Sequence, residues 1–117
     1  MVFQIPLSPK VGNARGHWKA IHYGKKAYWK MLDARQNIGL LPAPPATPYP
    51  KVDIAATFYL WNEMDTDNAT SRLKHAADWL VTRGYIVGDR PAQLNWTQLV
   101  QVIDRRHQRL ELTLEPA

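Results

Sequence analysis

The sequence predicts a single small α+β domain, a mixed four-stranded sheet with two helices packed mainly on one face, in the order β-α-β-α-β-β. Three observations carry this. The chain has 117 residues, and a core rarely divides below roughly 200 residues, so one domain should span 1–117. Its hydrophobic fraction of 45% is enough for a real core and excludes general disorder. A period-2 apolar pattern in the middle of the chain runs directly into a period-3.6 pattern, the mark of a strand followed by a helix.

The elements follow in order. Val2 to Leu7 alternates weakly and ends in Pro6-Leu7-Ser8-Pro9, which suits a short first strand. Ser8 to Gly16 holds two glycines and a proline and reads as a loop. His17 to Ile38 predicts a helix with Trp18, Ile21, Ala27, Trp29, Leu32 and Ile38 as its apolar side, stopped at Gly39. Leu40 to Pro50 carries five prolines, so it is expected to be a stiff surface connection or flap.

Val52, Ile54, Ala56, Phe58 and Leu60 alternate with Asp53, Ala55, Thr57 and Tyr59, the clearest strand in the chain. A second helix is expected from Asn68 or Ala69, with Leu73, Ala76, Ala77, Leu80 and Val81 on one stripe and Arg72, Lys74, His75 and Asp78 facing elsewhere. Gly84 after Arg83 should end it. Tyr85 to Gln93 reads as a loop. Trp96 to Ile103 and Arg109 to Leu114 read as two strands joined as a hairpin by the basic turn Asp104 to Gln108. No internal repeat is visible.

Composition narrows the function. With no cysteine, disulfides, thiolate zinc sites and a Cys nucleophile are excluded, and a reducing compartment is suited. No secretory signal opens the chain, and the longest uncharged apolar run, Ile54 to Trp61, is far short of the ~20 residues that span a bilayer. A soluble cytoplasmic protein without a membrane partner is the expectation. The net charge of +5 attracts polyanions through counterion release, although many basic proteins never touch nucleic acid. No glycine-rich phosphate loop or serine-nucleophile motif occurs.

The acidic groups point to chemistry. Asp65 and Asp67 lie one residue apart after the strongest strand and before a helix, and Asp89 lies in the loop that follows that helix. Two or three carboxylates, with water and phosphate completing the shell, are what Mg²⁺ prefers. Lys74 stands seven residues beyond Asp67, near two helical turns, and helical side chains lean towards the N-terminus, so its ammonium is aimed back at the carboxylates. A plainer reading runs beside this one. Asp67 or Asn68 suits a helix N-cap, Lys74 a solvated face, and Asp89 a turn before Arg-Pro.

Asp65-Thr66-Asp67-Asn68, Arg72-Leu73-Lys74, Ala77-Asp78-Trp79-Leu80, Gly84-Tyr85-Ile86-Val87 and Gly88-Asp89 stand in the order of a known hallmark. It is an Asp-x-Asp-Asn pair, a helical Lys, an Asp-x-Leu segment, a Gly and a closing Asp. The chain thereby resembles the RusA family of Holliday junction resolvases, endodeoxyribonucleases of which the phage and actinobacterial branch shares the seven-residue step to Lys. Asn13-Ala14-Arg15-Gly16-His17-Trp18 resembles the family's N-terminal Asn-x-Arg-x-His-Trp segment.

The resemblance implies a homodimer that resolves four-way DNA junctions by paired symmetric nicks. It assigns Asp65, Asp67 and Asp89 to Mg²⁺, with Mn²⁺ as a substitute, and Lys74 to the phosphate. Asn13, Arg15, Lys19 and Arg72 become the expected DNA contacts. Two departures stand out. Glu63 and Met64 occupy positions where members often carry arginines, and Gly88 replaces the first of two closing acids.

Other residues admit two readings. The basic and aromatic residues from Lys10 to Lys30 suit phosphate contact and base stacking, or a helix with a solvated basic face. Arg105, Arg106 and Arg109 suit backbone contacts or protection of a sheet edge. His17 and His22 lack a metal-ligand spacing. Trp61, Trp79 and Trp96 are expected in the core or a dimer interface rather than as stacking platforms. Two rivals to the nuclease remain: a branched-nucleic-acid-binding module without turnover, and an interaction protein whose Asp pair is only a helix cap.

Overall fold

The computed structural model describes residues 1–7 and 18–117, with side chains in the first helix from Gly24 onward. The predicted loop 8–16 and the basic residues Lys10 and Arg15 lie outside those residues. Six elements follow in the expected order: β1 (Val2–Ile5), α1 (Trp18–Asn37), β2 (Val52–Leu60), α2 (Thr66–Thr82), β3 (Leu94–Ile103) and β4 (Arg109–Pro116). The sheet is mixed and four-stranded, in the order β1-β4-β2-β3.

β2 is the organising strand. It pairs antiparallel with β4 and parallel with β3. A parallel pair needs a long crossover, and α2 supplies it. Val52, Ile54, Ala56, Phe58 and Leu60 are all buried, as are Leu110, Leu112 and Leu114 of β4 and Phe3 and Ile5 of β1. This alternation turns one face of the sheet towards the helices. Each of the larger side chains contributes about 1.5–3 kcal/mol on burial.

One pairing differs from expectation. β3 and β4 are not a hairpin, because β4 crosses to the far side of β2 and takes an interior position. Its three buried leucines explain the choice. β3, with Asn95, Thr97 and Gln98 exposed, tolerates the sheet edge. Between Ile54 and Ala55 the register shifts, so Trp96 faces Ile54 and Gln98 faces Ala55. Thr97 is the extra residue of a β-bulge, and its hydroxyl donates to the Ile54 carbonyl at 3.4 Å.

Both helices end as the glycines predict. Gly39 at φ 81° and Gly84 at φ 84° take the left-handed conformation that only glycine adopts freely. Leu40 N–H donates to Arg35 O at 2.9 Å and Tyr85 N–H to Leu80 O at 3.0 Å, which closes each last turn. The proline-rich segment is no free flap: Leu41 is buried, and Tyr49 exchanges backbone bonds of 3.0 Å with Tyr85 and Val87. The Tyr85 hydroxyl donates to Pro42 O.

The apolar face of α1 is also corrected. Among its described side chains Tyr28 and Leu32 are buried and Trp29 packs against the core, whereas Ala27 and Ile38 are exposed; the side chains of Trp18 and Ile21 lie outside the described residues. A polar seam joins α1 to α2 beside Tyr28 and Leu32. Asp33 accepts a two-pronged pair of 2.8 Å bonds from Arg83 and a 2.9 Å bond from Trp79 Nε1. The Arg83 guanidinium holds the Asp33 carboxyl below its ordinary range. Lys25 pairs with Asp78 at 3.3 Å, and Trp29 Nε1 donates to His75 O at 3.1 Å.

His75 is the largest surprise in α2. It is only 4% exposed, turned towards Tyr28 of α1, and its Nδ1 has no hydrogen-bond partner among the described residues. Burial pushes its pKa below the ordinary 6.5, with Lys25 adding to the shift. The unfolded chain therefore binds a proton that the folded one resists. Stability is full above about pH 6.5 and falls as pH drops towards the lower folded value. Urea midpoints at about pH 7.5 and 5.5 should differ for the wild type and converge for His75→Phe.

Candidate functional site

α2 begins earlier than the periodicity predicts, at Thr66, because Asp65 and not Asp67 or Asn68 is the N-cap. The Asp65 carboxylate accepts the Asn68 N–H at 2.7 Å, which satisfies one of the helix's orphan donors. Asp67 sits exposed in the first turn, where the helix dipole favours an anion.

The loop that delivers Asp65 is held by a contact absent from the sequence reading. Gln101 of β3 accepts from Met64 N–H at 2.9 Å and donates to Met64 O at 2.8 Å. A side-chain amide that answers both backbone groups of one residue fixes the entry angle of α2. The signal was not visible in advance, since it depends on the bulge at Thr97 turning Gln101 to the inner face beside Phe58. Gln101→Ala should cost about 1–2 kcal/mol of stability, read as a lowered urea midpoint.

Lys74 and Asp89 come together. They line one cleft of about 420 Å³ between α2 and the edge of β3, with Thr70, Ser71, Leu73, Ala77, Trp96 and Leu99. Lys74 is exposed and stands 4.0 Å from Asp78, one turn further on. Gly88, beside Asp89, faces the Gln93 amide: a Cβ there would lie 2.1 Å from Gln93 Oε1. That side chain takes the space a first closing acid would need.

Asp65 and Asp67 do not line this cleft. Among the described residues no three His, Asp or Glu side chains gather closely enough to hold a metal ion. Helix geometry supplies a reason, because seven residues from Asp67 to Lys74 advance about 10 Å along the axis. Asp65 and Asp67 stand at the start of α2, and Asp89 lines the cleft further along it. Asp65 and Asp67 still fit an ion that keeps most of its water, since Mg²⁺ commonly takes one or two carboxylates and completes its shell from solvent and phosphate.

The basic turn lies at the same end of the sheet as this pair. Asp104 N–H donates to Leu60 O at 2.8 Å and Arg105 Nε to Trp61 O at 3.4 Å, which sets the turn against the segment leading to Asp65. Asp104 shapes the turn by accepting from Arg106 and His107 N–H at 3.0 and 3.2 Å, and pairs with Arg109 at 3.1 Å. Arg105 and Arg106 remain exposed.

Of the expected DNA contacts, Asn13 and Arg15 lie outside the described residues, as does the side chain of Lys19, while Arg72 is half-buried on α2. Trp79 is in the core as expected. Trp61 and Trp96 are outside the core, exposed on the single chain, which leaves a dimer interface as the other expected place for them. No helix among the described residues is long and apolar enough to cross a membrane. No protein-family model matches the chain, and no curated protein matches it. The resemblance to the RusA family therefore stands on the motifs.

Proposed function

We propose that the protein is a magnesium-dependent endodeoxyribonuclease acting on branched DNA, a resolver of four-way junctions that works as a homodimer in the cytoplasm. The observation that carries the reading is the cleft shared by Lys74 and Asp89, alongside the helix that starts at Asp65 and Asp67. Lys74 and Asp89, separated along the chain and matched to one motif set, line the same cleft.

Charge supports the need for a cation. Glu63, Asp65 and Asp67 place three carboxylates within five residues, which repels a phosphodiester unless a divalent ion offsets them. Asp65 and Asp67 are the ligands such an ion would take. When bound, it would polarise a phosphoryl oxygen and supply a hydroxide-like water. Lys74, exposed at the cleft, offsets charge that builds on the phosphate. Asp89 contributes a carboxylate on the same cleft, and Arg105 and Arg106 hold flanking backbone.

A second reading, a branched-DNA-binding module without turnover, is favoured by one observation: Asp89 lines the cleft with Lys74, and Asp65 and Asp67 do not. Metal titration separates the two. Calorimetry with Mn²⁺ should show binding by the wild type that is lost in the Asp65→Asn, Asp67→Asn double variant. Equal heats for both proteins would remove the metal site.

A further inference from the structure

The cleft between α2 and β3 has a wall that the nuclease reading does not use. In the parallel register, Leu94, Trp96 and Leu99 stand opposite Val52, Ile54 and Ala56, all buried. Trp96 therefore belongs to the inner, helix-covered face of the sheet. It is nevertheless 37% exposed. Two features explain this. β3 is the edge strand, and the bulge at Thr97 directly follows Trp96 and re-aims the strand there. Across the gap α2 offers the short side chains of Thr70, Ser71 and Ala77, which leave an open volume of about 420 Å³ beside the indole.

An indole on one wall, small side chains on the other, and the Lys74 ammonium and Asp89 carboxylate on the lining match one ligand chemistry, a nucleotide, whose base N–H groups can donate to the carboxylate. A flat base stacks on an aromatic ring whatever its identity, and its phosphate meets a cation. A duplex holds its bases inside the stack, and flipping one out costs a few kcal/mol, so a base enters such a cleft most readily from a branch point or a single strand. We propose that this cleft is a nucleobase subsite, in which Trp96 stacks on one unpaired base while Lys74 takes the adjoining phosphate. The proposal rests on the nucleic-acid reading of the same site and adds its substrate class: DNA with a base free to leave the helix.

The test uses fluorescence anisotropy in EDTA, so that cutting plays no part. The probes are a labelled oligothymidine and an abasic deoxyribose-phosphate oligomer of equal length, beside a labelled four-way junction. The wild type should prefer oligothymidine to the abasic chain by about tenfold. Trp96→Ala should erase that preference, Trp96→Phe should keep most of it, and Lys74→Ala should weaken both probes alike. Thermal melts confirm folding of each variant.

A preference unchanged in Trp96→Ala, with the junction still bound, overturns the subsite and leaves the nuclease reading intact. So does loss of a dimer on gel filtration in Trp96→Ala with unchanged affinity for each probe, which assigns the indole to a second copy of the chain. No binding of any probe by the wild type at low salt overturns both readings.

Discussion

Asp65→Asn is expected to fold normally and to lose magnesium-dependent cutting of branched DNA by at least about a hundredfold, the effect of removing several kcal/mol of metal-assisted stabilisation. The structure makes this variant informative. Asp65 caps α2 through a 2.7 Å bond to Asn68 N–H, and asparagine caps a helix as well as aspartate does. The amide keeps the cap and removes the charge. Its melting temperature should stay close to the wild type, and junction binding in EDTA should persist. Asp67→Asn, which makes no cap, should behave the same way. Retained cutting by either variant removes the metal pair from the mechanism. Asp65→Ala, by contrast, should also cost about 1 kcal/mol through the lost cap.

The largest effect on stability is expected from Trp79→Ala. Trp79 is among the largest fully buried side chains and packs against Tyr85 with ring centroids 5.4 Å apart. Its Nε1 also donates to Asp33 at 2.9 Å. Truncation leaves a cavity under both helices and takes one donor from Asp33, which keeps its two bonds from Arg83. A loss of about 3–5 kcal/mol follows, a large share of the roughly 5–15 kcal/mol that holds a domain together. Urea unfolding followed by circular dichroism reads it directly. A loss below about 1 kcal/mol would contradict the placement of Trp79 in the core.

The parts of this fold that were legible in the sequence are those set by local periodicity. β2 alternates because one face is buried along its whole length, and α2 carries a stripe at helical spacing for the same reason. Gly39 and Gly84 announced the helix ends through the backbone conformation they allow. Partner choice was not local. Nothing in Trp96 to Leu114 said that β4 would cross β2 and leave β3 at the edge, because that depends on which strand has more apolar surface to bury. The bulge at Thr97 reset the alternation of β3, so Trp96 and Gln101 were not seen to share the inner face.

His75 shows the same limit on a helix. It lies one turn before Trp79 and is buried by α1, a neighbour that α2's own stripe does not reveal. At the site, the Asp65–Asp67 pair and Lys74 were readable as a strand-to-helix junction and a helix face. The position of Asp89 was set by the path of the 85–93 segment, tied to Tyr49, and spacing could not show that it joins Lys74 rather than the Asp pair.

We propose that this surface cuts branched DNA with a divalent cation. The most direct measurement is a nicking assay on a synthetic four-way junction and a matched linear duplex, with magnesium and with EDTA. Paired, symmetric nicks confined to the junction and abolished by EDTA are the expected result. An intact junction in magnesium and in manganese, with the protein folded and in excess, would contradict it.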